Sequence, residues 1–317
     1  MTERPHLVVL RHVPDAVVAR LREHARVTDV SDLPRTAWGA ALGDAIGVLG
    51  SSSTSIDAEL VAQVPGLRIV AFQSVGYDNV DLEALRARGI VLTNARGSLV
   101  DAVADVTFWL VVAARRRFRL AVAWARDGRW MRGDAPFSND VADATLGIVG
   151  FGEIGPAVAR RAQAAGMRVI YSNRTPRADD AQTGAAYRSF DALLAESDCV
   201  VALVPLTPQT RRMFDDDAFA KMKRTATFVN AARGAICDTD ALLRALEQKT
   251  IAGAALDVTD PEPLPPDHPL YAREDVVILP HVGSATVETR TRMSMLAAEN
   301  LVAFVEGKPL LTPVALG

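Results

Sequence analysis

Short apolar runs alternate with amphipathic segments along the whole chain. In the first third of the chain, the apolar runs that we predict as strands cover residues 7–10, 46–49, 68–72 and 90–93. Helical periodicity separates these runs, over residues 15–24, 57–64 and 81–88. Continuous Val, Ile and Leu runs separated by helices are typical of a parallel sheet that helices cover on both faces.

A long helix is predicted after Gly97. Ser98 and Asp101 have the spacing of a capping box at its start, and its apolar body ends at the arginine run 115–117. We interpret that run as a solvated helix end rather than a nucleic-acid patch, because cations are favourable at a helix C-terminus.

A second alternating series follows a polar, glycine-containing stretch. Its predicted strands cover residues 146–149, 168–171, 199–204, 227–229, 253–257 and 276–279. A last helix over residues 286–305 ends before Gly307 and Pro309, as a helix C-terminus should. The pattern therefore predicts an α/β protein with two doubly wound parallel-sheet domains joined by long helices.

Composition agrees with two globular domains. The chain has 317 residues, 49% of them hydrophobic and 23% charged, with a formal net charge of −3. These values exclude disordered, collagenous and coiled-coil proteins, and they give no electrostatic footprint for nucleic acid. The two cysteines, Cys199 and Cys237, are too few for a disulfide framework or a cysteine-rich zinc site, so no metal is expected.

No targeting or membrane segment is evident in the sequence. The apolar run at residues 7–10 is shorter than a signal-peptide core and is followed at once by Arg11. The longest uncharged apolar run, residues 106–114, is far below the roughly 20 residues that cross a bilayer. We therefore expect a soluble, cytoplasmic protein without a membrane partner.

A glycine motif marks the first candidate site. Gly150, Gly152 and Gly155 form G-x-G-x-x-G, and the residues between them are Phe151, Glu153 and Ile154. The motif follows a predicted strand and opens a helix, and a second strand completes a βαβ unit. In that context the glycines permit the tight turn and the close approach of a pyrophosphate to the helix N-terminus. An α/β turn without a ligand is the alternative.

The end of the second strand suggests which dinucleotide binds. Enzymes that use NAD carry an acid here, about twenty residues after the motif, for the ribose hydroxyls. This chain has Asn173, followed by Arg174, Thr175 and Arg177. Loss of the acid and gain of arginines favour the 2′-phosphate of NADPH. Two surface arginines in a loop that still accepts NADH are the alternative.

Three residues past strand ends are candidates for catalysis. His281 follows the strand at 276–279, whereas the other four histidines, at positions 6, 12, 24 and 268, occupy surface or structural contexts. Arg233 and Glu262 follow two further strands of the same series. Ligands of open parallel sheets bind at the carboxyl ends of strands. Reduction of a 2-oxo acid by a bound nicotinamide needs a proton donor for the forming alkoxide and an anchor for the carboxylate, and a histidine beside a carboxylate and a nearby arginine can serve these two roles.

Taken together, these motifs are recognisable. The chain resembles the D-isomer-specific 2-hydroxyacid dehydrogenase family, most closely its glyoxylate/hydroxypyruvate reductase branch. The resemblance begins near Ile46, and its motifs lie at residues 74–79, 150–155, 204–208, 230–234, 257–263 and 280–286. It implies that a Rossmann cofactor domain, residues 98–286, is inserted in a flavodoxin-like substrate domain, residues 1–97 and 287–317. It also implies a homodimer, with the long helix after Gly97 near the interface.

The resemblance also implies individual roles. Arg233 corresponds to the substrate-binding arginine, Glu262 to the acid paired with the catalytic histidine, and His281 to that histidine. Val75 and Gly76 match the amides that hold the substrate carboxylate, and Ser284 falls beside the substrate. The positions that fall along the cofactor are Pro205, Ala231, Asp257 and Gly283.

The function expected on these grounds is reduction of small 2-oxo acids, glyoxylate and hydroxypyruvate first, to D-2-hydroxy acids with NADPH. A dehydrogenase for phosphite or for a larger 2-hydroxy acid is an alternative within the same superfamily. A dinucleotide-sensing protein without catalysis, similar to the corepressors of that superfamily, is the alternative from another class. A substrate panel separates the enzymatic hypotheses, and tight cofactor binding without turnover of any 2-oxo acid favours the sensing protein.

Overall fold

The computed structural model describes residues 4–178 and 180–316. The chain folds into two compact units: unit 1 is Met1–Leu99 with Thr286–Gly317, and unit 2 is Val100–Ala285. Each unit contains a parallel β-sheet with helices on both faces. The predicted fold class is thus confirmed.

The sheet of unit 1 has the strand order β2-β1-β3-β4-β5. Its strands are β1 His6–Val9, β2 Arg26–Asp29, β3 Gly47–Gly50, β4 Ile69–Phe72 and β5 Val91–Thr93. Its helices are α1 Asp15–His24, α2 Gly39–Leu42, α3 Ala58–Gln63, α4 Leu82–Ala87 and, from the end of the chain, α12 Val287–Val305. Leu7 and Val9 pack in the cluster that includes α1 and α12, whereas Val8 packs in the cluster of the opposite face. Both faces are buried, and the strands therefore read as continuous apolar runs.

The sheet of unit 2 has the strand order β12-β11-β10-β9-β6-β7-β8. Its strands are β6 Thr145–Val149, β7 Arg168–Ser172, β8 Ala186–Tyr187, β9 Cys199–Ala202, β10 Thr227–Asn230, β11 Gly253–Leu256 and β12 Val276–Ile278. Its helices are α5 Val100–Arg115, α6 Phe118–Arg126, α7 Ile154–Ala164, α8 Asp180–Thr183, α9 Phe190–Glu196, α10 Asp216–Ala220 and α11 Thr239–Glu247. The order reverses between β6 and β9, which places a crevice outside the carboxyl ends of these two strands.

Three local predictions need correction. The strands β2 and β8 are not predicted, because β2 has no fully buried residue and β8 has only two residues. The helix α6 is likewise missed, within the stretch interpreted as polar. The capping box at Ser98 is wrong: α5 begins at Val100, and the Ser98 hydroxyl donates to the Ala95 carbonyl at 2.6 Å.

Candidate active site

The glycine motif lies at the switch point of unit 2, directly after β6. At Gly150, φ is +95°, and a Cβ atom there would lie 2.6 Å from the Leu203 carbonyl carbon after β9. Only glycine fits that approach. A Cβ atom at Gly152 would meet no atom within 4 Å, so the loop leaves open space beside the start of α7. Open space beside a helix N-terminus fits the pyrophosphate of a dinucleotide.

The loop after β7 contacts the glycine motif from the other side. The Asn173 Oδ1 accepts from the Phe151 amide at 2.7 Å. Arg177 Nη1 donates to the carbonyls of Phe151 and Gly152, each at 3.1 Å. Arg174 and Thr175 are exposed. The two arginines that the sequence groups together thus differ: Arg177 is bound to the motif, and Arg174 extends from the exposed loop.

Residues from three neighbouring strand ends form the rest of the site. The strands β10, β11 and β12 are adjacent, and Arg233, Glu262 and His281 lie in the loops after them. The loops after β10 and β11 are in direct contact, because a Cβ atom at Gly234 would lie 1.8 Å from the Thr259 carbonyl oxygen. Within unit 2 the structure therefore brings the three predicted catalytic residues to one edge of the sheet.

His281 and Glu262 are in direct contact at this edge. His281 Nδ1 lies 2.6 Å from Glu262 Oε1, and each side chain is 41% exposed. Burial alone raises the pKa of the Glu262 carboxyl, but the hydrogen bond from His281 and the charges of His281 and Arg233 outweigh it, and the pKa lies below its ordinary value. Glu262 is therefore ionised at neutral pH and accepts the Nδ1 proton. The other ring nitrogen, Nε2, is left to act on a substrate.

The backbone of His281 is held in an unusual conformation. Its φ is +53°, in the left-handed region that non-glycine residues seldom adopt. The His281 amide donates to the Asp257 carbonyl at 2.8 Å. The buried Asp257 carboxylate accepts from the amides of Val282 and Gly283 at 2.8 and 2.9 Å. Asp257 thus fixes the turn that presents the imidazole, a role that sequence reasoning missed.

Arg233 is presented by a second shaped loop. Its Nη1 donates to the Ala232 carbonyl at 2.8 Å. The buried Asn230 side chain donates to the Arg233 carbonyl at 2.9 Å and accepts from the Ala232 amide at 3.1 Å. Sequence reasoning did not assign Asn230; the available signal was a polar residue directly after the apolar pair Phe228 and Val229.

The other predicted residues fall at strand ends as well. Pro205 and Ala231 follow β9 and β10, and Gly283 and Ser284 follow His281. Val75 and Gly76 lie in unit 1, in the loop after β4. Among the described residues, no cluster of His, Cys, Asp and Glu could hold a metal ion. No helix in that part of the chain is long and apolar enough to span a bilayer.

Known proteins are similar over nearly the whole chain. Residues 108–283 match the family model described as D-isomer specific 2-hydroxyacid dehydrogenase, NAD binding domain. The glyoxylate reductase of Korarchaeum cryptofilum is 41% identical over 312 residues, which cover 96% of this chain and 94% of that protein. The glyoxylate/hydroxypyruvate reductase B of Escherichia fergusonii is 42% identical over 312 residues, 96% of each chain. The NADPH-dependent glyoxylate/hydroxypyruvate reductase of Sinorhizobium meliloti, solved with NADP and malonate, has a TM-score of 0.90 at 35% identity and covers 99% of this chain and 98% of that chain.

Proposed function

The chain belongs to the D-isomer-specific 2-hydroxyacid dehydrogenase family, and on that premise we propose that it reduces small 2-oxo acids with NADPH, glyoxylate to the achiral glycolate and hydroxypyruvate to the corresponding D-2-hydroxy acid. The observation that carries the proposal is the hydrogen bond of 2.6 Å between His281 and Glu262 at the carboxyl edge of unit 2. The ionised carboxylate accepts the Nδ1 proton and orients the ring, which leaves Nε2 as the position from which a proton is donated to a substrate. The names of the relatives point to glyoxylate and hydroxypyruvate as substrates.

Each catalytic residue has one task in this proposal. The Arg233 guanidinium binds the carboxylate of the 2-oxo acid, for which its planar fork of donors is suited. Val75 and Gly76 donate their backbone amides to the same carboxylate. His281 gives the Nε2 proton to the oxygen on C2, and Glu262 stabilises the resulting charge changes on the ring. The bound reduced nicotinamide supplies the hydride.

A substrate panel tests the proposed function. Glyoxylate, hydroxypyruvate, pyruvate, phenylpyruvate and, in the oxidative direction, phosphite are offered to the purified protein with each dinucleotide. Loss of the reduced-nicotinamide absorbance with glyoxylate and hydroxypyruvate is expected. Preference for phenylpyruvate or phosphite identifies a different dehydrogenase of the superfamily. Tight dinucleotide binding without any turnover identifies a sensing protein and contradicts the proposal.

The cofactor preference depends on the loop after β7. The exposed Arg174 follows the neutral Asn173, so a 2′-phosphate would meet a cation and a neutral amide at these two positions. We expect wild type to prefer NADPH, and Arg174→Ala to raise the KM for NADPH by roughly 10–100-fold, since a hydrogen bond to a charged group contributes about 1.5–3 kcal/mol. The KM for NADH, which lacks the phosphate, should change little. Steady-state kinetics with both dinucleotides measure this.

A matched control variant is available at the start of β7, the strand that precedes the loop with Arg174. Arg168→Ala removes the same charge from the first residue of β7, and we expect it to leave both KM values unchanged. A large preference of wild type for NADH, or an Arg174→Ala variant with an unchanged KM for NADPH, would show that the exposed loop arginine does not select the cofactor.

A homodimer is the assembly we propose. One segment of unit 2 exposes several large apolar side chains: Val122 is 65% exposed, Trp130 68%, Met131 90% and Phe137 95%. Apolar side chains at this density are typical of a protein interface. The nearby helix α5 adds Trp109, which is 46% exposed. A second copy of this chain is the occupant that the family resemblance favours.

Light scattering tests the assembly. Wild type should have about twice the 34.0 kDa mass of one chain. The double variant Met131→Glu/Phe137→Glu should shift toward the mass of one chain, because burying a carboxylate in an apolar interface is costly. Leu33→Glu, at an exposed apolar residue of unit 1, is the control. A wild-type protein with the mass of a single chain contradicts the dimer.

A further inference from the structure

The loop after β4 in unit 1 presents two backbone amides without internal acceptors. Among the residues that the structure describes, neither the Val75 nor the Gly76 N–H donates a hydrogen bond. The carbonyl groups of the same two peptide units, those of Ser74 and Val75, in contrast both accept hydrogen bonds. The Ala95 amide donates to the Ser74 carbonyl at 2.9 Å, and the Asn94 side chain donates from Nδ2 to the Val75 carbonyl at 2.9 Å.

These two hydrogen bonds determine where the amides point. In a trans peptide the carbonyl and the following N–H point in opposite directions within one plane. The bond to the Ser74 carbonyl therefore orients the Val75 N–H, and the bond to the Val75 carbonyl orients the Gly76 N–H. Donation to the carbonyl also polarises the peptide group, which strengthens the N–H as a donor. Neighbouring N–H groups of this kind form an anion-binding site.

Asn94 is the side chain that makes one of these two bonds. It is buried directly after β5, and its Oδ1 accepts from the Arg96 amide at 3.3 Å. The segment after α12 fixes its backbone: the Asn94 amide donates to the Thr312 carbonyl, and the Thr312 hydroxyl donates to the Asn94 carbonyl at 2.6 Å. Asn300, which is fully buried in α12, in turn donates to the Thr312 hydroxyl oxygen at 2.9 Å.

We propose that Asn94 is a positioning residue for substrate binding: its side-chain amide holds the Val75 carbonyl and thereby aims the Gly76 N–H at the carboxylate of the 2-oxo acid. This inference rests on the proposed function, in which Val75 and Gly76 bind that carboxylate. Asn94 itself does not touch the substrate. Its loss should therefore weaken substrate binding and leave cofactor binding intact.

Two substitutions of similar size test the proposal. Asn94→Asp and Asn94→Leu each remove the Nδ2 donor, and only the first adds a negative charge. We expect both to raise the KM for glyoxylate by about tenfold or more, the effect of one hydrogen bond to a charged group. The KM for NADPH and kcat should change by less than about threefold, since neither depends on the Gly76 amide. The inhibition constant for oxalate, a carboxylate that is not reduced, should rise in parallel with the KM for glyoxylate.

Thr312→Val is the control, because it removes a hydrogen bond from the same buried network and leaves the Asn94 side chain on the Val75 carbonyl. It should lower the melting temperature without raising the KM for glyoxylate. A KM that rises in Asn94→Asp alone indicates charge repulsion and overturns the proposal, as does an equal rise in Thr312→Val. If Asn94→Leu does not fold, an Asn94→Asp variant with unchanged KM overturns it. Failure of the proposed function is distinguishable, because the wild-type protein then does not reduce glyoxylate.

Discussion

Replacement of His281 by alanine is expected to lower kcat for glyoxylate reduction by roughly 10²–10⁴-fold, the contribution of a positioned general acid. The imidazole is the proton donor to the forming alkoxide, and neither Glu262 nor Arg233 can replace it. Glu262 is already ionised beside it, and a guanidinium does not release its proton near neutral pH. Dinucleotide affinity, measured by fluorescence titration, should be unchanged. Steady-state kinetics with saturating NADPH measure the loss of rate.

Two further variants make the histidine result specific. His24→Ala removes an imidazole near the C-terminus of α1, where it contacts Arg20 and Glu306, and it should retain full activity. Glu262→Gln keeps the size of the side chain but removes the carboxylate that lies 2.6 Å from the Nδ1 nitrogen of His281. It should lose less activity than His281→Ala, because the imidazole itself remains in place. Full activity of His281→Ala would refute the assignment of the proton donor.

Substitution of Arg233 by glutamine has the second large effect. Two charge-assisted hydrogen bonds to the substrate carboxylate contribute about 1.5–3 kcal/mol each, so kcat/KM should fall by roughly 10²–10⁴-fold. Arg233→Lys should recover part of this loss, because it keeps the charge but not the planar fork. The expected order of kcat/KM is wild type, lysine, glutamine, and initial rates at low glyoxylate measure it.

The control for this prediction is another arginine of unit 2. Arg244→Gln removes a charge from the exposed face of α11, where the guanidinium pairs with Asp216. A surface ion pair contributes at most about 1 kcal/mol to stability, and we expect no change in kcat/KM. An Arg233→Gln variant whose kcat/KM equals that of the Arg244→Gln control would exclude Arg233 from the substrate site.

The sequence predicts the two sheets because both of their faces are buried. Strands such as Thr145–Val149 and Ile69–Phe72 are apolar at every position or nearly so. The missed strands, Arg26–Asp29 and Ala186–Tyr187, lie at the edges of their sheets and include exposed residues. These two edge strands are short and pair on one side only, and they lack the continuous apolar run that the prediction uses.

The candidate site is predictable in part for a related reason. Parallel strands end at one edge, so polar residues after strands meet there whatever their separation along the chain. The hydrogen bonds that orient them are not predictable in this way. The contact of Asp257 with the turn at His281 depends on a left-handed backbone conformation, and that of Asn94 joins the end of β5 to the loop after β4.

The central claim is that Arg233, Glu262 and His281 serve a direct reduction of a 2-oxo acid at C2. The most direct measurement uses NADPH that carries deuterium at both C4 positions of the nicotinamide, with glyoxylate as substrate and mass spectrometry of the product. We expect glycolate with one deuterium on C2 for each NADPH consumed. Glycolate without deuterium, or NADPH that binds and is never consumed, would contradict it.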